Sequence, residues 1–130
     1  MAYYLDTSAL VKLVVAEAES AALHEWLTSC ESELVTCDLA RTELMRAVRP
    51  VSPDRAVRAR EVLESVFSLS LSTATYDAAA RLQPPELCSL DAVHLAAALE
   101  LGADLEGIIV YDGHLADAAG SYGITTIAPA

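Results

Sequence analysis

The hydrophobic pattern changes period several times along the chain, and each change marks an element. Ala2–Leu5 is a short apolar run that predicts a buried strand. Thr7–Ala16 is apolar all round and predicts a buried helix. Ser20–Ser29 predicts a second helix, with Leu23, Trp26 and Leu27 on its inner side. Glu33–Thr36 predicts a strand, and Asp38 then stands where a helix N-cap belongs. The helix it starts ends at or before Arg49, because Pro50 follows. Pro53 opens a charged helix through Ser65, Phe67–Leu71 predicts a strand, and Thr75–Leu82 predicts a helix stopped by Pro84–Pro85. Ser89–Leu101 is almost continuously apolar, too long for an ordinary strand, and ends before Gly102. Gly107–Tyr111 predicts a strand, Gly113–Ala119 a helix and Ile124–Ile127 a last strand. This β–α alternation predicts an α/β fold with a mainly parallel sheet covered by helices on both faces. No repeat or long linker interrupts it, so residues 1–130 are expected to form a single domain.

Composition narrows the class. A chain of 130 residues can hide roughly two-thirds of the surface its unfolded form exposes, and needs no disulfide or zinc staple. With 54% hydrophobic residues it is not globally disordered, and 24 alanines against seven aromatics favour closely packed helices. Eight Lys and Arg against 19 Asp and Glu give a net charge of −11, which argues against general affinity for nucleic acid or anionic membranes. The cations are nonetheless concentrated: Arg41, Arg46, Arg49, Arg55, Arg58 and Arg60 fall within twenty positions, and none follows Arg81. Cys30, Cys37 and Cys88 lack metal-ligand spacing and are expected to be reduced, mostly buried thiols. No charged leader or apolar run of membrane-spanning length is present, and a cytoplasmic protein is expected.

In so acidic a chain, most acids need only a solvated surface. Four fit that explanation less well. Asp6 directly follows the first strand, and Asp112 follows Gly107–Tyr111. Either could be an ordinary N-cap, but ligands of open α/β sheets also bind at the carboxyl ends of strands. At helical spacing, Glu43 falls inside the broad apolar face formed by Leu39, Ala40, Leu44, Ala47 and Val48. An inward carboxylate is costly unless paired or metal-bound; the alternative is a Glu at the core edge that pairs with an Arg. Asp91 opens the most apolar helix, where the helix dipole would also welcome it. If the four converge, each like-charged pair at about 4 Å repels by about 4 kcal/mol at an effective dielectric of 20. A counter-cation is then needed, and an all-oxygen site suits Mg²⁺ or Mn²⁺, the ions of metal-dependent nucleases.

The same segments carry a family resemblance. Asp6-Thr7-Ser8-Ala9-Leu10, Arg41-Thr42-Glu43-Leu44, Leu90-Asp91-Ala92-Val93-His94-Leu95-Ala96 and Tyr111-Asp112-Gly113-His114-Leu115-Ala116-Asp117 resemble the PIN-domain ribonucleases. Within these the chain is most similar to the VapC-type toxins of toxin–antitoxin pairs, in order and over essentially its whole length. The resemblance implies a PIN-like three-layer α/β/α sandwich and a Mg²⁺- or Mn²⁺-dependent endoribonuclease. It further implies that Asp6 and Asp91 are the main direct metal ligands and that Glu43 and Asp112 complete the catalytic quartet. Ser8 matches a small hydroxyl that could orient a metal-bound water, though a helix-start cap explains it equally well. A homodimer and a VapB-like antitoxin are implied as partners, with DNA reached only through the antitoxin and no membrane contact. Cys88, Gly113 and His114 stand where many relatives carry basic residues, which bears on RNA affinity rather than on metal binding.

Other residues are assigned more ordinary roles. His94, one turn after Asp91, is expected to be a packed or hydrogen-bonded structural histidine, and His24 and His114 to lie on the surface. Asp117, Asp104 and Glu106 are expected to face solvent, the last two in a turn. Arg41, Arg46 and Arg49 are candidates for RNA-backbone contact, or else their group pairs with Asp54, Glu61 and Glu64 on a solvated face. Trp26, Val62, Leu63 and Phe67 are candidates for a protein contact, with core packing the simpler account. Two competing functions remain: a catalytically silent PIN-like binding module, and a phosphohydrolase using Asp6 as nucleophile. The second lacks the expected acid two residues on, where Ser8 stands, and any Lys after Lys12.

Overall fold

The structure is a computed structural model, and it describes residues 1–49 and 52–130. Five parallel strands form one sheet: β1 (Ala2–Leu5), β2 (Glu33–Cys37), β3 (Phe67–Leu69), β4 (Leu105–Ile109) and β5 (Thr126–Ile127), in the order β3-β2-β1-β4-β5. The helices are α1 (Thr7–Val14), α2 (Ser20–Ser29), α3 (Leu39–Val48), α4 (Pro53–Ser65), α5 (Thr73–Ala80), α6 (Ser89–Leu99) and α7 (Gly113–Ser121). The expected α/β sandwich with a parallel sheet is therefore present.

Period-two alternation in the strands builds two cores. Tyr4, Val35, Cys37, Ile108 and Val110 pack with Leu95, Ala97, Leu115 and Ala119 of α6 and α7 on one face. Leu5 and Ile109 pack with Leu10, Leu44, Val48, Val62 and Leu63 of α1, α3 and α4 on the other. Each fully buried aliphatic side chain contributes about 1.5–3 kcal/mol. Ala92–Ala98 is buried without a break, which explains the continuous apolar run of α6. Its small alanines let α5 approach through Ala79 and Ala96.

Several expected boundaries move. β4 starts at Leu105 rather than Gly107, because Leu105 pairs with Ala2 before a register shift sets Gly107 against Tyr3. β3 stops at Leu69 and β5 begins at Thr126, each limited by the reach of its single neighbour. α1 ends at Val14, α5 spans Thr73–Ala80 after a Ser72 capping box, and α6 ends at Leu99, three residues before Gly102 adopts φ +54°. Asp38 occupies the N-cap position of α3 but with helical dihedrals and no capping hydrogen bond. Pro50, expected to limit α3, lies outside the described residues. Glu106 lies on β4, not in a turn, and its carboxylate accepts from Ser32. Of the cysteines, all free, only Cys37 is buried; Cys88 is exposed and Cys30 half-buried. Val62 and Leu63 are core residues and Trp26 meets Tyr3 edge-on at 4.9 Å, while Phe67 on the edge strand is exposed.

Candidate active site

The carboxyl ends of β1 and β4 lie side by side, with Leu5 paired to Ile109. Asp6 extends that ladder by one bond, its N–H donating to the Ile109 carbonyl at 3.3 Å. Parallel strands release their following residues on one rim, so Asp6 and Asp112 emerge at the same edge of the sheet. Both are helix N-caps: Asp6 Oδ1 accepts from the Ala9 N–H at 3.3 Å, and Asp112 Oδ1 from the Leu115 N–H at 3.0 Å. Among the described residues, the Oδ2 atom of each has no hydrogen-bond partner.

Ser8 ties this rim together. Its hydroxyl donates to Asp6 Oδ1 at 2.6 Å and accepts from the Tyr111 N–H at 3.0 Å. The single proton of the hydroxyl is thus committed to orienting Asp6, and its oxygen holds the loop that carries Asp112. Asp6 is buried, and burial pushes its carboxyl above the ordinary range, against the opposing pull of Ser8, of the nearby His94 charge and of the backbone donors.

Glu43 points inward from α3, as helical phase requires. Its Oε1 accepts from Thr7 Oγ1 at 2.7 Å and from His94 Nε2 at 2.5 Å. The other ring nitrogen, Nδ1, lies 2.8 Å from the Tyr4 hydroxyl, with the Cys37 sulfur farther off at 3.8 Å. His94 is almost wholly buried, and burial alone would keep its ring neutral. Contacts with Cys37 and Glu43 outweigh that and raise its pKa to about 10. Burial likewise pushes Glu43 up, but the hydrogen bonds from His94 and Thr7 prevail and hold its carboxyl below the usual range. His94 is thus the hydrogen-bonded structural histidine the sequence suggests. Thr7 and Tyr4 complete the network; the sequence offers no signal for Tyr4, and for Thr7 only its position beside Asp6.

Asp91 opens α6 one turn before His94. Burial raises its pKa first, and the negative charges of Asp112 and then Glu43 raise it further, while His94 and His114 pull the other way. Asp91 therefore senses both carboxylates, while Glu43 approaches Asp6 through the hydroxyl of the adjacent Thr7 and Asp91 through His94, one turn further along α6. The four acids do not close into a cage: among the described residues, no three His, Cys, Asp or Glu side chains form a ready metal-holding group. Beside Asp91, a cavity of about 480 Å³ extends between α6, α7 and the 84–88 loop, and Asp117 and the exposed His114 line it. Asp117 therefore borders a concavity as well as solvent.

Arg41, Arg46 and Arg49 are exposed on α3 and its C-cap, and Arg58 lies on α4. Arg41 reaches the Asp38 carboxylate at 4.0 Å and Arg58 the Glu61 carboxylate at 3.4 Å. Arg46 lies one turn beyond Glu43 and Arg49 caps the helix end; among the described residues, neither forms an ion pair. Among the described residues, the anticipated pairing with acids of α4 is thus realised at Arg58 alone.

A parallel sheet with acids gathered at its carboxyl rim is the setting of a known domain class. Residues 3–121 match the family model of the PIN domain, and the chain belongs to that family. Within it, the chain is 41% identical over 128 residues to Ribonuclease VapC46 of Mycobacterium tuberculosis strain H37Rv, covering 98% of each. It is 40% identical over 129 residues to Ribonuclease VapC35 of strain CDC 1551, covering 97% of this chain and 96% of the relative. Ribonuclease VapC47 of the latter strain is 38% identical over 130 residues, at the same shares of 97% and 96%. The chain is thus a member of the VapC group of PIN domains. The crystal structure of Mycobacterium tuberculosis VapC20, described as a Sarcin-Ricin loop cleaving toxin, matches with a TM-score of 0.79. It covers 98% of this chain and 99% of that one at 18% identity, a likeness of fold.

Proposed function

We propose that this protein is a metal-dependent endoribonuclease, the toxin of a VapBC-type toxin–antitoxin pair. The observation that carries this reading is the meeting of Asp6, Glu43, Asp91 and Asp112 on one sheet rim, in a chain about 40% identical to VapC ribonucleases. The donor set is all carboxylate oxygen, which fits a hard divalent cation, Mg²⁺ with Mn²⁺ as substitute. Mg²⁺ usually keeps several waters and takes only one or two carboxylates from the protein, so an open rim suits it better than a closed cage. Asp6 and Asp91 would be the direct ligands, and Glu43 and Asp112 would complete the site directly or through water. When bound, the ion activates a water and offsets charge on the scissile phosphate.

The remaining work falls to the chain itself. Ser8 orients Asp6, and the α1 and α7 N-termini hold Asp6 and Asp112 in place. His94 fixes Glu43 and neutralises part of the acidic charge in the absence of the ion. Arg41, Arg46 and Arg49 provide cations on the helix carrying Glu43, where the RNA backbone can run. The partners of this reading are RNA, a VapB-like antitoxin and a second copy of the chain, in the cytoplasm, with DNA reached only through the antitoxin.

The test is cleavage of total cellular RNA by antitoxin-free protein in Mg²⁺, Mn²⁺ or EDTA, with Asp6→Asn as control. Discrete fragments that need metal and vanish in the variant are the expected result. No cleavage by folded protein under any of these conditions would turn the reading towards a silent binding module.

A further inference from the structure

The cavity beside Asp91 is not used by the chemistry described so far, and its lining is of mixed character. Pro84, Leu87 and Ala118 present apolar surface, whereas Glu86 and Asp117 bring carboxylates to it. Ser121 lines it as well, but its hydroxyl donates to the Ala118 carbonyl at 2.6 Å, so the free side of that oxygen is an acceptor too. The volume, about 480 Å³, is in the range of small-molecule sites. The cavity is continuous with the proposed catalytic rim, sharing Asp91 and reaching His114, two residues beyond Asp112.

Three physical consequences follow. The Glu86 and Asp117 carboxylates of the lining repel a phosphate, so the charged backbone of a nucleic acid is kept outside. Apolar walls favour the face of an uncharged ring. The acceptors that Glu86, Asp117 and Ser121 bring to the lining then select a ring edge that carries hydrogen-bond donors, because an edge of carbonyls would face lone pairs with lone pairs. Among the RNA bases, guanine presents adjacent N1–H and N2–H donors that one carboxylate can accept in parallel, and the His114 ring can donate to the neighbouring carbonyl. Uracil places its one N–H between two carbonyls. Single-stranded bases splayed from the stack and held between apolar side chains are a common mode of RNA recognition.

We propose that the cavity between α6, α7 and the 84–88 loop is a nucleobase subsite that takes a guanine of the RNA strand beside the scissile bond. Occupation of the subsite by substrate rests on the ribonuclease reading; the recognition of guanine there is testable apart from it. Asp117 is then a specificity-determining residue outside the catalytic rim.

Exposed Cys88 lines the same cavity and supplies a reporter, with half-buried Cys30 as an internal reference and Cys37 buried. The experiment follows the rate of Cys88 alkylation by iodoacetamide in the full-length protein, by peptide mass analysis, in EDTA. The probes are GMP, UMP, inorganic phosphate and N-acetyl-arginine amide. A bound ligand slows labelling by 1 + [L]/Kd, about tenfold at nine times Kd. The expected result is protection by GMP, little by UMP or phosphate, and an unchanged Cys30 rate. Asp117→Asn, which removes the charge and replaces one of the two acceptor oxygens by an NH₂ donor at an exposed position, should remove the protection and leave the unliganded rate as it was. Equal protection by UMP, or none by GMP, overturns the proposal. Protection by the arginine amide alone also overturns it and assigns the cavity to a basic peptide. Because the measurement involves no metal and no turnover, RNA cleavage without GMP protection sinks only the subsite. GMP protection without cleavage leaves the recognition of guanine standing and sinks the nuclease.

Discussion

Asp6→Asn separates what the first acid does for the fold from what it does for the proposed metal. The asparagine keeps an acceptor oxygen for the Ser8 hydroxyl and the Ala9 N–H, so the capping geometry survives. What it removes is the charge. The folded pKa of Asp6 is raised by burial even though Ser8, His94 and the backbone donors all favour the anion. The folded environment therefore prefers the neutral form, and ionisation weighs against the fold. For a carboxyl raised in this sense, the penalty is absent below the unfolded value of about 3.9, grows as pH rises through the folded value, and is constant above it. In EDTA at pH 7 the variant should melt at the wild-type temperature or above it, and the difference should shrink as pH falls towards 4.

On the proposed function, metal should reverse the order. At Mg²⁺ about 100 times Kd the wild type gains about 2.7 kcal/mol, and at about 4 °C per kcal/mol this raises its Tm by about 10 °C. The variant, lacking a direct ligand, should show little of that rise and no cleavage. Thermal melts with and without Mg²⁺ over this pH range make the test. A metal-free variant melting more than about 4 °C below wild type, roughly 1 kcal/mol, would show that the Asp6 charge supports the fold. A Mg²⁺ shift retained in full would place the ion elsewhere.

His94→Phe should cost about 2–4 kcal/mol in urea unfolding, because the Tyr4 hydroxyl and the Glu43 carboxylate lose their shared partner. It should keep most of the Mg²⁺ shift; its complete loss would make the imidazole a ligand. Gly107→Ala should lower stability by about 1–3 kcal/mol by the same method, since a Cβ there would lie 2.9 Å from the Thr125 carbonyl oxygen and press on Ile127 and Tyr3. An unchanged midpoint would refute that close approach. Replacing Arg41, Arg46 and Arg49 by Ala together should weaken RNA binding and flatten its dependence on log salt by about 0.7 for each phosphate no longer neutralised, leaving Tm nearly unchanged. An unaltered slope would remove these arginines from the RNA path.

The layered parallel sheet was legible because strand and helix periods differ and each buried run has a length suited to only one of them. Strand ends were less so. β4 begins at Leu105 only because Ala2 is there to pair with it, a fact that no local window contains. Glu43 could be recognised as inward because helical phase is a local property. The raised pKa of His94 could not, since it depends on Glu43 and Cys37, 51 and 57 positions away. The cavity at Asp91 was illegible for a similar reason: the loop around Pro84 and the helix carrying Asp117 meet only in the fold.

For Asp6 and Asp112, cap and ligand stand as competing explanations in the sequence, and the capping geometry makes the two compatible. A carboxylate has two oxygens. In both residues Oδ1 caps the following helix, while Oδ2 has no partner among the described residues. At Asp6 the cap also bears on the charge, because the Ala9 N–H pulls down a pKa that burial pushes up. A strand-terminal aspartate that caps a helix is thereby fixed in direction and eased towards ionisation, the two properties a cation site asks of it. Capping is then part of what prepares the proposed ligand, and a search for functional acids in this fold should begin with the N-caps at the carboxyl rim.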